Sequence, residues 1–328
     1  MQNDRISIQS LERRVADHFS KAGIPAETSK AVATALVMAE AEGQQGHGLS
    51  RIPSYLAQFA SEKINPQAEP KLDTPQPSVL LVDADNGFAY PALEKAFEKA
   101  RDIARSQGVC MVLVSKSHHC GSLGYQVEKY AEAGQIALMM ANTPVAMAMY
   151  GGTQPKLGTN PMAFAAPVQG GRPLVIDLAL SQVARGKIVV AAKEGKPIPE
   201  GWAIDADGRP TTDANEALKG SLLPAGGAKG SALALMVEVM AAALTGACFS
   251  ARAASFLDTG GGAPNVGQFI LVIDPSGSVP GFPERMKELV EIVTGDEAVR
   301  LPGTRRSHCL EEAVTNGFDA SIFEKHGL

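Results

Sequence analysis

The chain has 328 residues, 45% of them hydrophobic and 20% charged, and a formal net charge of -5. That is length for about two domains with a sizeable core. An acidic balance with only 5% aromatics excludes the basic face and the stacking platforms of a nucleic-acid binder.

The N-terminal MQNDRISIQS is polar and lacks an apolar signal core. Leu11, Val15, Phe19 and Ala22 recur at helical spacing until Gly23 and Pro25 stop the run. A second helix is expected over 26–41 and a third over 54–62. Between them lies EGQQGHGLSRIPSY (42–55). His47 sits between Gly46 and Gly48, where a bare backbone lets an imidazole come close to another molecule. An imidazole can transfer a proton near neutral pH. Arg51, four residues on, can hold a carboxylate by two parallel hydrogen bonds. The plainer alternative is a glycine-rich turn with an exposed histidine and arginine.

Residues 65–78 carry four prolines and read as an extended connector and a candidate boundary. Strand and helix then alternate. Strands are expected at 79–84, 109–115 and 135–142, and helices at 91–107 and 121–134. The middle third is irregular, with a strand at 173–180, a helix at 182–193 and a turn-rich stretch at 198–213. LLPAGGAKG (222–230) leads into the apolar run 231–247. Glu238 near its centre would cost about 2.5–3.5 kcal/mol in a bilayer, so the run reads as a buried helix. A strand at 267–274, a helix at 283–295 and LPGTRRS (301–307) before a terminal helical segment close the chain.

The common fingerprints are absent: no G-x-G-x-x-G, no P-loop, no G-x-S-x-G elbow, no H-E-x-x-H. The four cysteines, Cys110, Cys120, Cys248 and Cys309, form no C-x-x-C pair, which fits a reducing, cytoplasmic setting. His47, His118 and His119 could in principle meet at a metal, but adjacent residues such as His118 and His119 normally diverge, so no metal is expected. Glycine-flanked polar residues remain. SHHCGSLG (117–124) follows a strand and opens a helix, whose first N–H groups favour an anion such as a pyrophosphate; a strained turn at Gly121 is the alternative. LGTNP (157–161) exposes Thr159 and Asn160 to a ligand, or makes a turn. GGAKG (226–230) places Lys229 at a helix start. Arg305 and Arg306 form a phosphate clamp or a solvated basic pair.

In this order, GHGLSR, SHHCGSLG, GTNPMAFAAP, IDLALSQVARGKI, IPEGWAIDADGRPTTD, LPAGGAKGSALALMVE and LTGACFS resemble the non-Rossmann malate/L-lactate dehydrogenase family, over roughly residues 8–307. That family includes malate, lactate, ureidoglycolate and sulfolactate dehydrogenases and the Δ1-piperideine- and Δ1-pyrroline-2-carboxylate reductases. The resemblance implies an α/β (α+β) fold with a largely antiparallel cofactor-domain sheet and a helical N-terminal part. The parts implied are 1–65, carrying the histidine stretch; 66–119 with 296–328, an α/β part; and 120–295, the NAD(P)-binding domain. It implies NADP or NAD, a small carboxylate substrate and a homodimer, with neither nucleic acid nor membrane as partner.

By the same resemblance His47 is the proton donor, Arg51 holds the substrate carboxylate and Thr159 touches the substrate. His119, Gly121, Ser122, Asp177, Leu178 and Ala179 line the cofactor, and Lys229, Arg305 and Arg306 meet its phosphates or ribose. Two residues depart from the pattern. Gly46 stands where many members have serine. Lys187 stands near a position that is acidic in ketimine-reducing members. Both favour hydride transfer to a 2-oxo acid of malate, lactate or sulfolactate type. The alternatives are a cyclic ketimine reductase and a cofactor-binding relative without activity.

Overall fold

Alternating burial builds the central element. A computed structural model describes residues 5–278, 280–296 and 298–328. Seven strands form the large sheet: β1 (Lys71–Gln76), β2 (Val79–Asp83), β3 (Val109–Ser117), β4 (Ile136–Ala141), β5 (Met162–Ala166), β6 (Leu174–Leu178) and β7 (Val266–Ile273). Their spatial order is β1-β2-β3-β7-β4-β5-β6. Every neighbouring pair is antiparallel except β2–β3. The sheet therefore draws strands from both sides of residue 120.

Successive side chains point to opposite faces. Val112 and Val114 of β3, Met139 of β4 and Ile270 and Val272 of β7 pack on one face with helices α4 (Ala89–Gln107) and α5 (Leu123–Glu132). Leu113, Met140 and Phe269 face the other way. There they meet a small five-stranded sheet and the helix Ala228–Glu238. A third core joins α1 (Ile8–Lys21), α2 (Ala26–Ala41) and α3 (Ile52–Ala60) through Leu11, Val15, Phe19, Leu36 and Ile52. Ser7 caps α1 by accepting from Ser10 N, 3.2 Å.

Three expectations are corrected. The proline-rich connector holds β1, an edge strand exposed throughout. Pro75 is tolerated there because an edge leaves some N–H groups unused. The irregular middle holds β5, whose MAFAA sequence lacks β-branched residues. The apolar run expected at 231–247 is not a fully buried helix. It starts at Ala228, runs as α-helix to Glu238 and widens into a π turn over Val239–Ala243. Ser231, Ala234, Val237, Ala241 and Ala242 are buried, while Leu235, Met236, Val239 and Leu244 are exposed. Gly267 of β7 lies against that turn; a Cβ there would stand 1.9 Å from the Ala241 carbonyl oxygen. No described helix is long and apolar enough to cross a membrane.

Candidate active site

Two short 3-10 turns, Gln45–His47 and Leu49–Arg51, carry the chain from α2 into α3. Glu40, on the buried face of α2, fixes them: its carboxylate accepts from Leu49 N, 3.0 Å. Gly48 is required by space, because a Cβ there would lie 2.3 Å from Glu40 Oε2. Arg51 Nε donates to the Gly46 carbonyl, 2.7 Å. This leaves the two terminal guanidinium nitrogens for a carboxylate.

His47 is half-buried. Its Nδ1 lies 3.2 Å from Nε2 of His119, and the two rings are tilted by only 11°. His119 Nδ1 lies 2.6 Å from the Tyr55 hydroxyl, which lies 2.9 Å from that of Tyr90. Gly121 makes this possible. Its φ is +69°, and a Cβ would come within 2.8 Å of the Tyr90 hydroxyl oxygen. Burial and then the Arg51 charge push the His47 pKa down to about 4. The same two causes lead in holding His119 well below the usual imidazole range. Both rings are therefore neutral at pH 7 in the absence of a bound anion. His118 turns the other way, to Gln58 Oε1 at 2.7 Å. No group of three or more His, Cys, Asp or Glu placed to hold a metal occurs among the described residues.

The cofactor-side residues divide. Asp177 accepts from Gly124 N at 2.7 Å and from Ser122 Oγ at 3.1 Å. The group bonded at the start of α5 is thus the chain's own carboxylate. Leu178 is exposed beside it. Leu180, one residue past Ala179, donates from its N–H to the Thr159 carbonyl, 2.9 Å. Asn160 is not exposed as expected; it has φ +40°, is fully buried and donates to Glu238 Oε2 at 2.9 Å. Lys229 is exposed in the first turn of the helix Ala228–Glu238, which no side chain caps among the described residues. Arg305 is exposed, but Arg306 is buried and does not form a phosphate clamp with it. Its guanidinium is taken by Glu42, with two bonds of 2.6 Å, and by Glu128.

Sequence reasoning gave no role to Tyr55, Tyr90, Glu40, Glu42 or Glu128, and read Glu238 only as a bar to a bilayer. The carboxylates had a signal: acidic residues standing among apolar ones. Such groups are buried only with partners. Tyr55 had a weaker one, eight residues after His47 and four after Arg51. Tyr90 had none.

Residues 6–322 match the model of the malate/L-lactate dehydrogenase family. The (2R)-3-sulfolactate dehydrogenase (NADP(+)) of Chromohalobacter salexigens is 46% identical over 301 residues, covering 92% of this chain and 90% of that protein. The Δ1-pyrroline-2-carboxylate/Δ1-piperideine-2-carboxylate reductase of Pseudomonas syringae pv. tomato is 42% identical over 298 residues, 90% of this chain and 86% of the relative. Among solved structures, the Δ1-piperideine-2-carboxylate reductase from P. syringae superposes with a TM-score of 0.94 at 38% identity, covering 98% of each chain. The sulfolactate dehydrogenase of Methanocaldococcus jannaschii superposes with a TM-score of 0.88 at 30% identity, over 99% of this chain and 98% of the other.

Proposed function

We propose that this chain, which belongs to the malate/L-lactate dehydrogenase family, is an NAD(P)-dependent oxidoreductase that reduces a small 2-oxo acid to the 2-hydroxy acid and runs the reverse reaction. The observation that carries this reading is His47 held by its Nδ1 beside Arg51. The His47 Nε2 makes no hydrogen bond among the described residues and is left for a substrate. A nicotinamide cofactor, when bound, supplies or takes up the hydride. The open turn at Lys229 and the exposed Asp177–Leu178 surface at the end of β6 suit such a group. Lys229 and Arg305 would meet its phosphates. Gly121, Ser122 and Ala179 would line its path, and Thr159 would meet the substrate.

Arg51 holds the substrate carboxylate and so aims C2. As C2 gains a hydride, negative charge grows on its oxygen, and the His47 Nε2 proton quenches it. Without substrate His47 is neutral at pH 7. The arriving carboxylate offsets the Arg51 charge and raises the imidazole pKa, so binding takes up a proton. Affinity for the 2-oxo acid is then expected to fall as pH rises above about 4. The KM measured across pH 5–9 checks this; a flat KM refutes it.

A cyclic ketimine reductase is the second reading, favoured by the 42% identity to the P. syringae reductase. In it, His47 protonates nitrogen. Gly46 and Lys187 favour the oxo acid. The deciding experiment is oxidation of NADPH and NADH with pyruvate, oxaloacetate, sulfopyruvate and Δ1-pyrroline-2-carboxylate. His47→Ala is expected to lower kcat by a factor of about 10²–10⁴. Near-normal turnover in that variant removes His47 from the chemistry.

Two further features belong to this reading. The four cysteines are all free, which supports a cytoplasmic setting. A homodimer is supported by an open cleft between the edge of the large sheet and the π turn, where Leu72, Leu81 and Leu244 are exposed. Light scattering showing twice the 34.3 kDa chain mass is the expected result, and Leu244→Glu is expected to reduce it to one.

A further inference from the structure

We propose that Tyr55 is a positioning residue that acts through His119, fixing the proton of His47 on Nδ1 so that Nε2 faces the substrate. The inference rests on the reading of His47 as proton donor. It follows from counting protons along four groups in line: His47, His119, Tyr55 and Tyr90, at 3.2, 2.6 and 2.9 Å.

An imidazolium donates from both nitrogens. When His47 carries the proton destined for substrate on Nε2, its Nδ1 must also donate, and His119 Nε2 must accept. A neutral His119 then has its proton on Nδ1 and donates to the Tyr55 oxygen. Tyr55 in turn donates to the Tyr90 oxygen. The chain of donors runs away from the substrate. The opposite direction would place a His119 N–H against a His47 N–H, and so it excludes the charged state. After Nε2 releases its proton to the oxygen at C2, His47 remains neutral with a proton on Nδ1 and a lone pair on Nε2. That is the base needed for the reverse reaction, and no tautomer change separates the two.

The surroundings keep the direction. Tyr55 is fully buried and Tyr90 is 2% exposed, so no bulk water competes for either hydroxyl. The titratable groups around the chain are Arg51, His118 and Cys120, with Lys63 behind His118. Arg51 and Lys63 disfavour a second positive charge on His119 or His118. The Cys120 thiol, pushed up to about 12 chiefly by burial, stays protonated. His118 is engaged with Gln58. His119 is therefore left neutral, as an acceptor for His47.

The test is Tyr55→Phe in the full chain, which keeps the ring and removes the hydroxyl. Nitrogen-15 NMR of the imidazoles reads the tautomer in the resting protein, with the His47 signals assigned by their loss in His47→Ala. The wild type is expected to show one tautomer, protonated on Nδ1, and the variant a mixture. With cofactor and the best 2-oxo acid, the pH at which kcat falls to half is expected to move about one unit lower, because the neutral His119 that accepts from the His47 imidazolium loses the group that orients it. NADPH affinity is expected to hold. An unchanged tautomer together with an unchanged kcat limb overturns the proposal. If Tyr55→Phe does not fold, Tyr90→Phe is expected to shift the same limb in the same direction by less, and no shift overturns it. If the wild type turns over no acid in the panel, the functional reading fails, and the NMR arm still decides the tautomer.

Discussion

The starts of two helices, α5 and the helix Ala228–Glu238 (here α6), read alike in the sequence. Each follows a glycine-rich turn, and each offers unpaired N–H groups and a partial positive charge. In the fold they differ. Asp177 fills the first, bonding Gly124 N and Ser122 Oγ. Nothing among the described residues fills the second, and an exposed Lys229 adds charge to it. A helix start near glycine shows that an anion belongs there. It does not show whether the anion comes from the same chain.

Adding one methyl group at each start breaks the comparison most sharply. At Gly230 of α6 a Cβ would stand 1.9 Å from the Ala225 carbonyl oxygen, which is backbone and cannot turn away. At Gly124 of α5 it would stand 3.0 Å from Asp177 Oδ2, a side-chain atom that can give. Gly230→Ala is expected to cost about 3 kcal/mol or more, and Gly124→Ala about 1 kcal/mol. Thermal melts of the two variants check the ranking. Equal losses would show that the Ala225 turn is free to move.

The same contrast explains what was legible in the sequence. Val112, Leu113 and Val114 face alternate sides of the sheet, and such strands announce themselves by period. Helices α1 and α2 did so by their apolar spacing. Strand β1 did not, because an exposed edge strand needs no apolar face, and KLDTPQ has none. The 231–247 run misled because composition gives apolarity without saying what covers it. At the site, His47 was legible as a histidine flanked by glycines and Arg51 as a cation four residues on, while His119 came from the family resemblance. Their connection through Tyr55 was not, since it joins residues 64 apart. Arg306 was misread because Glu42 and Glu128, its partners, lie 264 and 178 residues away. Local pattern carries no information about such pairs.

Removing the internal anion is the next, smaller step. Asp177→Ala takes a charge-assisted bond from Gly124 N and another from Ser122. It is expected to cost about 1.5 kcal/mol, in the range of a lost helix cap. Affinity for NADPH is expected to change less than its stability does, if Asp177 serves mainly as a cap. A variant that melts normally but binds NADPH poorly would show that the carboxylate belongs to the ligand after all.

Lys229→Ala gives the smallest expected effect and the most specific one. Lys229 is exposed, so its loss leaves no cavity, and the melting temperature should stay put. What is lost is a charge beside uncapped N–H groups, and such a charge matters only when an anion arrives. NADPH binding is expected to weaken about 5- to 10-fold, or roughly 1–1.4 kcal/mol. Because the contact is at the surface, salt screens it. The gap between wild type and variant should therefore narrow as ionic strength rises from 10 mM to 0.5 M. Asp177→Ala should show the reverse pattern, a stability loss with little salt-dependent binding loss. If Lys229→Ala binds NADPH as the wild type does at low salt, the open helix start is not where the phosphates rest, and the two starts differ only in how each is closed.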